Sequence, residues 1–174
     1  LYLVEGAVGD WSALYLFEDK GIVIEEAVMG VMLFNGTMCI GRLLGNRLGK
    51  HLTSKQVVVG GYLLGSIAMG LIVFLPGHAS MYTYLLLGIS LAMIVPNLFS
   101  AMGEQNVIPM TQAVATSTML GYMGILMGPA LIGFIAHGTS LTVAFIVLTI
   151  LLVVSAGIGK YAYHLMSKDC GLSE

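Results

Sequence analysis

Charge is the scarcest property of this sequence: Asp, Glu, Lys and Arg make up 9% of its residues, where a soluble globular domain carries about 25%. So few charges cannot cover the surface of a 174-residue chain against water, and the mean hydropathy of +0.94 points to a bilayer as its solvent. Positive charge is short in particular. Seven Lys and Arg and a net charge of −2 exclude the basic face that nucleic-acid binding requires. Cysteine is nearly absent too. Cys39 sits in an apolar run and Cys170 near the C-terminus, with no CxxC or metal-ligand spacing, so two free thiols are expected and no metal site. The four histidines fall at or near loops or the tail without paired spacing, and no nucleophile–base spacing occurs. The sequence therefore predicts neither an enzyme nor a cofactor. It also lacks a basic segment leading into a cleavage site, so no signal peptide is read. Leu1 begins in the middle of an apolar pattern, and the chain reads as a piece of a longer one.

What the sequence does have is long apolar runs. A helix needs about 20 mainly apolar residues to cross the hydrocarbon core. Five runs meet this, roughly 22–42, 56–75, 81–102, 110–136 and 141–163, and residues 1–17 read as the outer part of a sixth, truncated helix. The runs are continuous rather than alternating, which excludes a closed β-barrel. Short breaks with turn chemistry separate them, so successive helices are expected to be antiparallel neighbours in one all-α bundle, with a tail over 164–174. Arg42, Arg47, Lys50, Lys55, Lys160 and Lys168 fall on one side of such a bundle and Lys20 alone on the other. That bias predicts a cytoplasmic C-terminus.

Polar residues at depth separate the helices. Runs 56–75 and 141–163 are bland and are expected to face lipid. The other four carry Glu5 and Asp10, Asn35 and Thr37, Asn97 and Ser100, and Thr116, Ser117, Thr118 and Tyr122. Such groups face other helices or water rather than lipid. If the first helix ends near Phe17, Glu5 lies about 18 Å below that end and Asp10 about 10 Å. Five residues are about 500° of turn, so the two point roughly 140° apart and form no carboxylate dyad. A carboxylate at the bilayer centre costs at least about 2.5–3.5 kcal/mol, and desolvation favours its neutral form. A proton-coupling site needs that property, as does a site that hydrogen-bonds a polyol. A water-filled cavity without coupling, or a partner outside this chain, would also accommodate Glu5. Trp11 beside them could stack on a sugar ring or anchor the helix at the interface.

Three motifs stand out. "GRLLGNRLGKH" (41–51) occupies a helix–helix turn. "GYMGILMGPALIGF" (121–134) places Gly121, Gly124 and Gly128 at i, i+3 and i+7, one face on which a neighbouring backbone can approach, followed by the helix-bending Pro129. "IVPNLFSAMGE" (94–104) sets Pro96 beside Asn97, which could line a cavity or hydrogen-bond a neighbouring helix. Gly61 and Gly65 form a GxxxG, more readily intramolecular packing than dimerisation. Glu25 and Glu26 start a helix, where the dipole favours acids.

The first motif resembles the loop signature of the major facilitator superfamily. Arg47, Gly49 and Lys50 are in register with that signature, while Asn46 takes the acidic position and Gly41, followed by Arg42, is one residue early. In that family the loop latches helix ends through charge, and Asn46 would weaken the latch. Together with "EGAVGDWSALYL", "VPNLFSAMG" and "GYMGILMGP", the whole chain is similar to the C-terminal half of a bacterial permease of the fucose-permease-like branch. The resemblance implies a six-helix half of a twelve-helix bundle in the bacterial inner membrane. Its partners would be the bilayer, an N-terminal six-helix half, a small solute and protons. It further implies secondary active transport of a small polar solute, a sugar among the candidates, by alternating access. Glu5, Asp10, Trp11, Asn35, Asn97 and Tyr122 would then line the cavity or couple protons. Efflux of drugs or metabolites, which the 12 methionines would suit, is the alternative within transport. A non-transporting membrane interaction protein is the alternative outside it.

Overall fold

A computed structural model describes residues 1–48, 52–104 and 108–169. Among the described residues every regular element is helical: α1 (Tyr2–Glu18), α2 (Ile24–Leu48), α3 (Ser54–Phe74), α4 (Gly77–Ala92), α5 (Ile94–Glu104), α6 (Met110–Gly138) and α7 (Leu141–Asp169). Five spans are long and apolar enough to cross a bilayer: Ile24–Gly45, Ser54–Phe74, Gly77–Gly103, Met110–Gly138 and Leu141–Leu165. The chain is an all-α, multi-pass membrane protein.

Local chemistry sets the helix starts. Thr53 and Gln56 form a reciprocal capping box at α3, the Thr53 hydroxyl accepting from the Gln56 N–H at 3.3 Å and the Gln56 side chain accepting from the Thr53 N–H at 3.0 Å. Pro76, in extended backbone, directly precedes α4, and Pro109 directly precedes α6. Gly21, at φ +67, makes the turn between α1 and α2, a conformation that glycine adopts without strain.

Three elements differ from the sequence-based expectation. α2 runs on to Leu48 rather than ending at 42. The run 81–102 is not one helix: α4 ends at Ala92, Met93 interrupts it and α5 begins at Ile94. Pro96 has no N–H to give the Ala92 carbonyl, and its ring would clash there in a continuous helix. The last helix continues past 163 to Asp169, so the expected tail begins helical.

The helices pack as a chain of neighbours. α4 lies between α2 and α3, α3 also carries α7, and α1 packs on α6 and α2. At one end Asp19 accepts from the Thr142 hydroxyl at 2.9 Å, Lys20 donates to the Val73 carbonyl at 2.6 Å, and Glu26 pairs with His78 at 2.7 Å. The termini of α1, α2, α3, α4 and α7 thus meet at that end. Burial by its neighbours lowers the Lys20 pKa below the usual lysine range, with Asp19 acting in the opposite direction.

The expected division into two lipid-facing and four interior helices concerns a whole bundle; within this chain by itself burial is distributed differently. In the most apolar stretch of α3, 44% is buried, against 17% in α6. The bland helix sits in the middle because its small residues let neighbours in. A Cβ on Gly61 would lie 2.7 Å from the Ser90 carbonyl oxygen of α4, and one on Gly65 2.8 Å from the Leu91 side chain. The GxxxG is thus an internal packing face.

Candidate functional site

The largest departure from a hydrocarbon interior is an ion pair. Arg42 donates to Glu5 at 3.1 Å, joining α2 to α1, with the Glu5 side chain 13% exposed and that of Arg42 41% exposed. The motif expected to form a helix–helix turn is helical over Gly41–Leu48, the end of α2, with its last three residues outside the described ones. Arg42 lies within the helix and reaches across to the acid. Glu5 finds its partner inside this chain. Asn46 and Arg47 lie on the last turn of α2, while Gly49 and Lys50 are outside the described residues.

Around this pair, Tyr2 of α1 and Tyr62 of α3 lie within electrostatic reach of Glu5. Both also line an open cavity of about 410 Å³ between α1, α3, α5 and α6, with Leu98, Phe99, Met102 and Ser117 among its other lining residues. The Ser117 hydroxyl is turned to the Met102 sulfur at 3.4 Å. Two tyrosines and an aromatic face thus share one space, while Glu5 and Arg42 do not themselves line it.

The remaining candidates are dispersed. Asp10 is exposed, on another face of α1 from Glu5. Asn35 is exposed and donates to the Val31 carbonyl of its own helix at 3.0 Å. Asn97 donates to the Met93 carbonyl of its own chain segment at 2.8 Å and is not among the residues that line the cavity. Tyr122 is 64% exposed on the outer side of α6. Trp11 donates its indole N–H to the Pro129 carbonyl at 2.9 Å and rests its ring against Gly133. It binds α1 to α6, which leaves no free donor for a solute.

The glycines of α6 face the start of α1. Gly121 meets the Tyr2 ring, and Gly124 and Gly128 meet the Leu3 backbone. Pro129 leaves the Ile125 carbonyl without its helical donor, and Gly6 approaches that oxygen so closely that a Cβ there would lie 2.6 Å away. The Ile125 carbonyl of α6 and Gly6 of α1 thus form one contact.

Sequence reasoning missed Arg42 as the partner of Glu5, and Tyr2, Tyr62 and Phe99 as neighbours of the site. The signal for Arg42 was present. Opposite charges in two antiparallel helices joined by a short turn, each within an apolar run, can neutralise one another only across that pair of helices.

Bundle and ion pair together define a multi-pass membrane protein with a charged pair on its first two helices. Among curated proteins, the chain is 41% identical over 159 residues to an uncharacterized MFS-type transporter of Yersinia pestis, covering 90% of this chain and 41% of that protein. It is also 29% identical to the membrane protein MosC of Rhizobium meliloti over 80% of this chain and 34% of that one. With the uncharacterized transporter y4wD of Sinorhizobium fredii it shares 28% identity, over 83% and 39%. The chain spans about two fifths of the length of these relatives. No family model matches the chain. No solved structure matches it either.

Proposed function

We propose that this chain is the C-terminal six-helix half of a twelve-helix major facilitator permease in a bacterial inner membrane, its C-terminus in the cytoplasm. The permease carries a small polar solute, with sugars the first class to test, and is driven by protons. The observation that carries this reading is the Glu5–Arg42 pair at 3.1 Å. A carboxylate that is mostly buried and held by one partner has two discrete states. Ionised, it attracts Arg42 and ties α1 to α2. Protonated, it releases that charge, and the two helices are free to shift. Loss of one charge of a desolvated pair costs enough to bias a conformational equilibrium.

The neighbouring cavity, about 410 Å³, falls in the size range of small-molecule sites, about 300–1,000 Å³. Its aromatic faces suit a solute with one apolar side, and the phenols of Tyr2 and Tyr62 supply hydrogen bonds. The N-terminal half would cover the exposed faces of α2 and α6 and complete the site.

The test is transport by the intact protein in proteoliposomes under an imposed pH gradient, screened against sugars and polyols. Glu5→Gln should abolish gradient-driven accumulation of the solute that the wild type concentrates while leaving solute exchange in place. Accumulation by Glu5→Gln at the wild-type level would sink the coupling role.

Efflux of apolar cations is favoured by one observation: the outer side of α6 presents Met119, Met123 and Met127, adaptable side chains suited to varied ligands. Extrusion of such compounds, with no sugar concentrated, would select that reading.

A further inference from the structure

Arg42 has more hydrogen-bonding capacity than Glu5 uses. Among the described residues its guanidinium makes one hydrogen bond, from a single terminal nitrogen to a single Glu5 oxygen, which leaves most of its planar fork of N–H donors open. The two side chains also differ in exposure, 13% for Glu5 against 41% for Arg42. Arg42 lies inside the membrane span Ile24–Gly45, so the open side of the cation requires water or an anion rather than lipid.

Its surroundings show what such an anion would carry. Asn35 precedes Arg42 by seven residues on α2, so the two share one helix face within about 20° and stand about 10 Å apart along the axis. Asn35 is exposed; its side-chain N–H is committed to the Val31 carbonyl, and its own carbonyl oxygen is left as an acceptor. On α1, Gly9 lies one turn beyond Glu5, exposed, and a Cβ there would meet nothing within 4 Å. Glu5 touches Arg42 and Leu16 touches Gly30, so α1 and α2 run antiparallel and Gly9 falls between the levels of Arg42 and Asn35. Tyr2, which lines the cavity of about 410 Å³, is within electrostatic reach of both charges. Donors for a carboxylate, a gap without a side chain and an acceptor for a hydroxyl thus follow one another beside that cavity.

We propose that Arg42 binds the carboxylate of the transported solute, a hydroxylated acid of the sugar-acid class, and that this carboxylate replaces Glu5 on the guanidinium when Glu5 takes up a proton. The proposal rests on the reading of the chain as half of a proton-driven permease with Glu5 as its proton acceptor. The planar guanidinium suits a carboxylate, which it can grip with two parallel N–H bonds, and the Asn35 oxygen accepts from a hydroxyl further along the solute. The charged and titratable groups facing Glu5 are Arg42 of α2, Tyr2 and the Leu1 amino group of α1, and Tyr62 of α3. Charge balances in both states. In the empty site the Glu5 carboxylate cancels Arg42; in the loaded site Glu5 is neutral and the solute anion cancels Arg42. One proton and one anion therefore move together without net charge, whereas a neutral sugar would leave the loaded site with an uncompensated cation.

The experiment measures binding of radiolabelled gluconate, an acid that stays ionised from neutral to mildly acidic pH, to the intact protein in nanodiscs of neutral lipid. Unlabelled gluconate, galacturonate and glucose are the competitors. The acids should displace the label at least tenfold better than glucose, and affinity should rise as the pH falls. Glu5→Gln, which frees Arg42 permanently, should bind gluconate at every pH as tightly as the wild type does only in acid. Arg42→Gln should weaken binding at least tenfold and Asn35→Ala severalfold. Arg42→Lys keeps the charge opposite Glu5 and loses the planar fork; a severalfold loss there keeps the test readable should Arg42→Gln disturb the fold. Gluconate bound no better than glucose, or bound at wild-type affinity by both Arg42 variants, overturns the proposal. Binding by Glu5→Gln that still follows the wild-type pH dependence overturns the exchange of partners on Arg42. The coupling role of Glu5 is decided separately, by gradient-driven accumulation in its glutamine variant.

Discussion

At the scale of single residues, the fate of a polar side chain in this bundle depends on whether it can reach its own helix. Thr37, Asn35, Asn97, Thr149 and Ser155 all donate to a carbonyl four residues earlier, a bond that each helix offers whatever its surroundings. Polar identity alone therefore does not mark a cavity-lining residue. Glu5 is different, because an ionised carboxylate has no donor with which to bond back. Its depth in an apolar run was legible in the sequence; its partner was not, since Arg42 stands at the edge of a basic motif that reads as a loop. Glu5→Gln and Arg42→Gln should each destabilise the protein, and the double variant less than their sum. A coupling energy of about 0.5–3 kcal/mol is expected, read from denaturant unfolding of the intact protein in detergent, and additive effects would show that the pair is not formed. Glycine makes a second contrast. Gly128 abuts the Leu3 backbone, whereas a Cβ on Gly60 would meet nothing within 4 Å. Gly128→Val should cost about 1–3 kcal/mol by overpacking, and Gly60→Ala should stabilise by up to about 1 kcal/mol through helix propensity. Equal thermal shifts in the two variants would contradict the α1–α6 contact.

At the scale of elements, proline decides continuity. Hydropathy treats residues 77–103 as one span, because apolarity carries no information about backbone direction. The backbone breaks at Met93, three residues before Pro96, and the Met93 carbonyl accepts both the Asn97 backbone N–H at 3.3 Å and its side-chain amide at 2.8 Å. Pro129 has a milder effect: α6 continues through it, with Gly6 of α1 against the Ile125 carbonyl and Trp11 donating to the Pro129 carbonyl. Pro96→Ala should let α4 and α5 fuse. Spin labels at positions 85 and 100 would report this as a lengthened separation, and an unchanged distance would assign the break to packing instead.

At the scale of the whole molecule, the exposed faces are as informative as the core. α6 turns Met119, Leu120, Tyr122, Leu126 and Phe134 outward, and α2 turns Met32 and Leu43 outward. α7 exposes Ile150, Val153 and Val154. These surfaces are equally apolar, yet in the proposed permease they have different neighbours: the other half and its aqueous cavity for α6, lipid for α7. In the intact protein with Cys39 and Cys170 replaced, cysteines at Met119 and Tyr122 should react with a water-soluble thiol reagent. Cysteines at Ile150 and Val154 should stay protected. Equal protection at all four positions would place α6 against lipid and remove the cavity from that face.

The sequence by itself determined that this chain lives in a membrane, that its elements are helices and roughly where they run, since burial in lipid requires long apolar stretches with internally satisfied backbones. It also determined that Glu5 stands where a bare charge is costly. Only the tertiary structure decided that Arg42 is the group that neutralises it, that Trp11 is committed to Pro129, and that the bland α3 lies in the middle of the bundle. Those outcomes depend on which faces of separate helices meet, and contacts between residues 37 or 118 positions apart leave no periodicity in a single chain to be read.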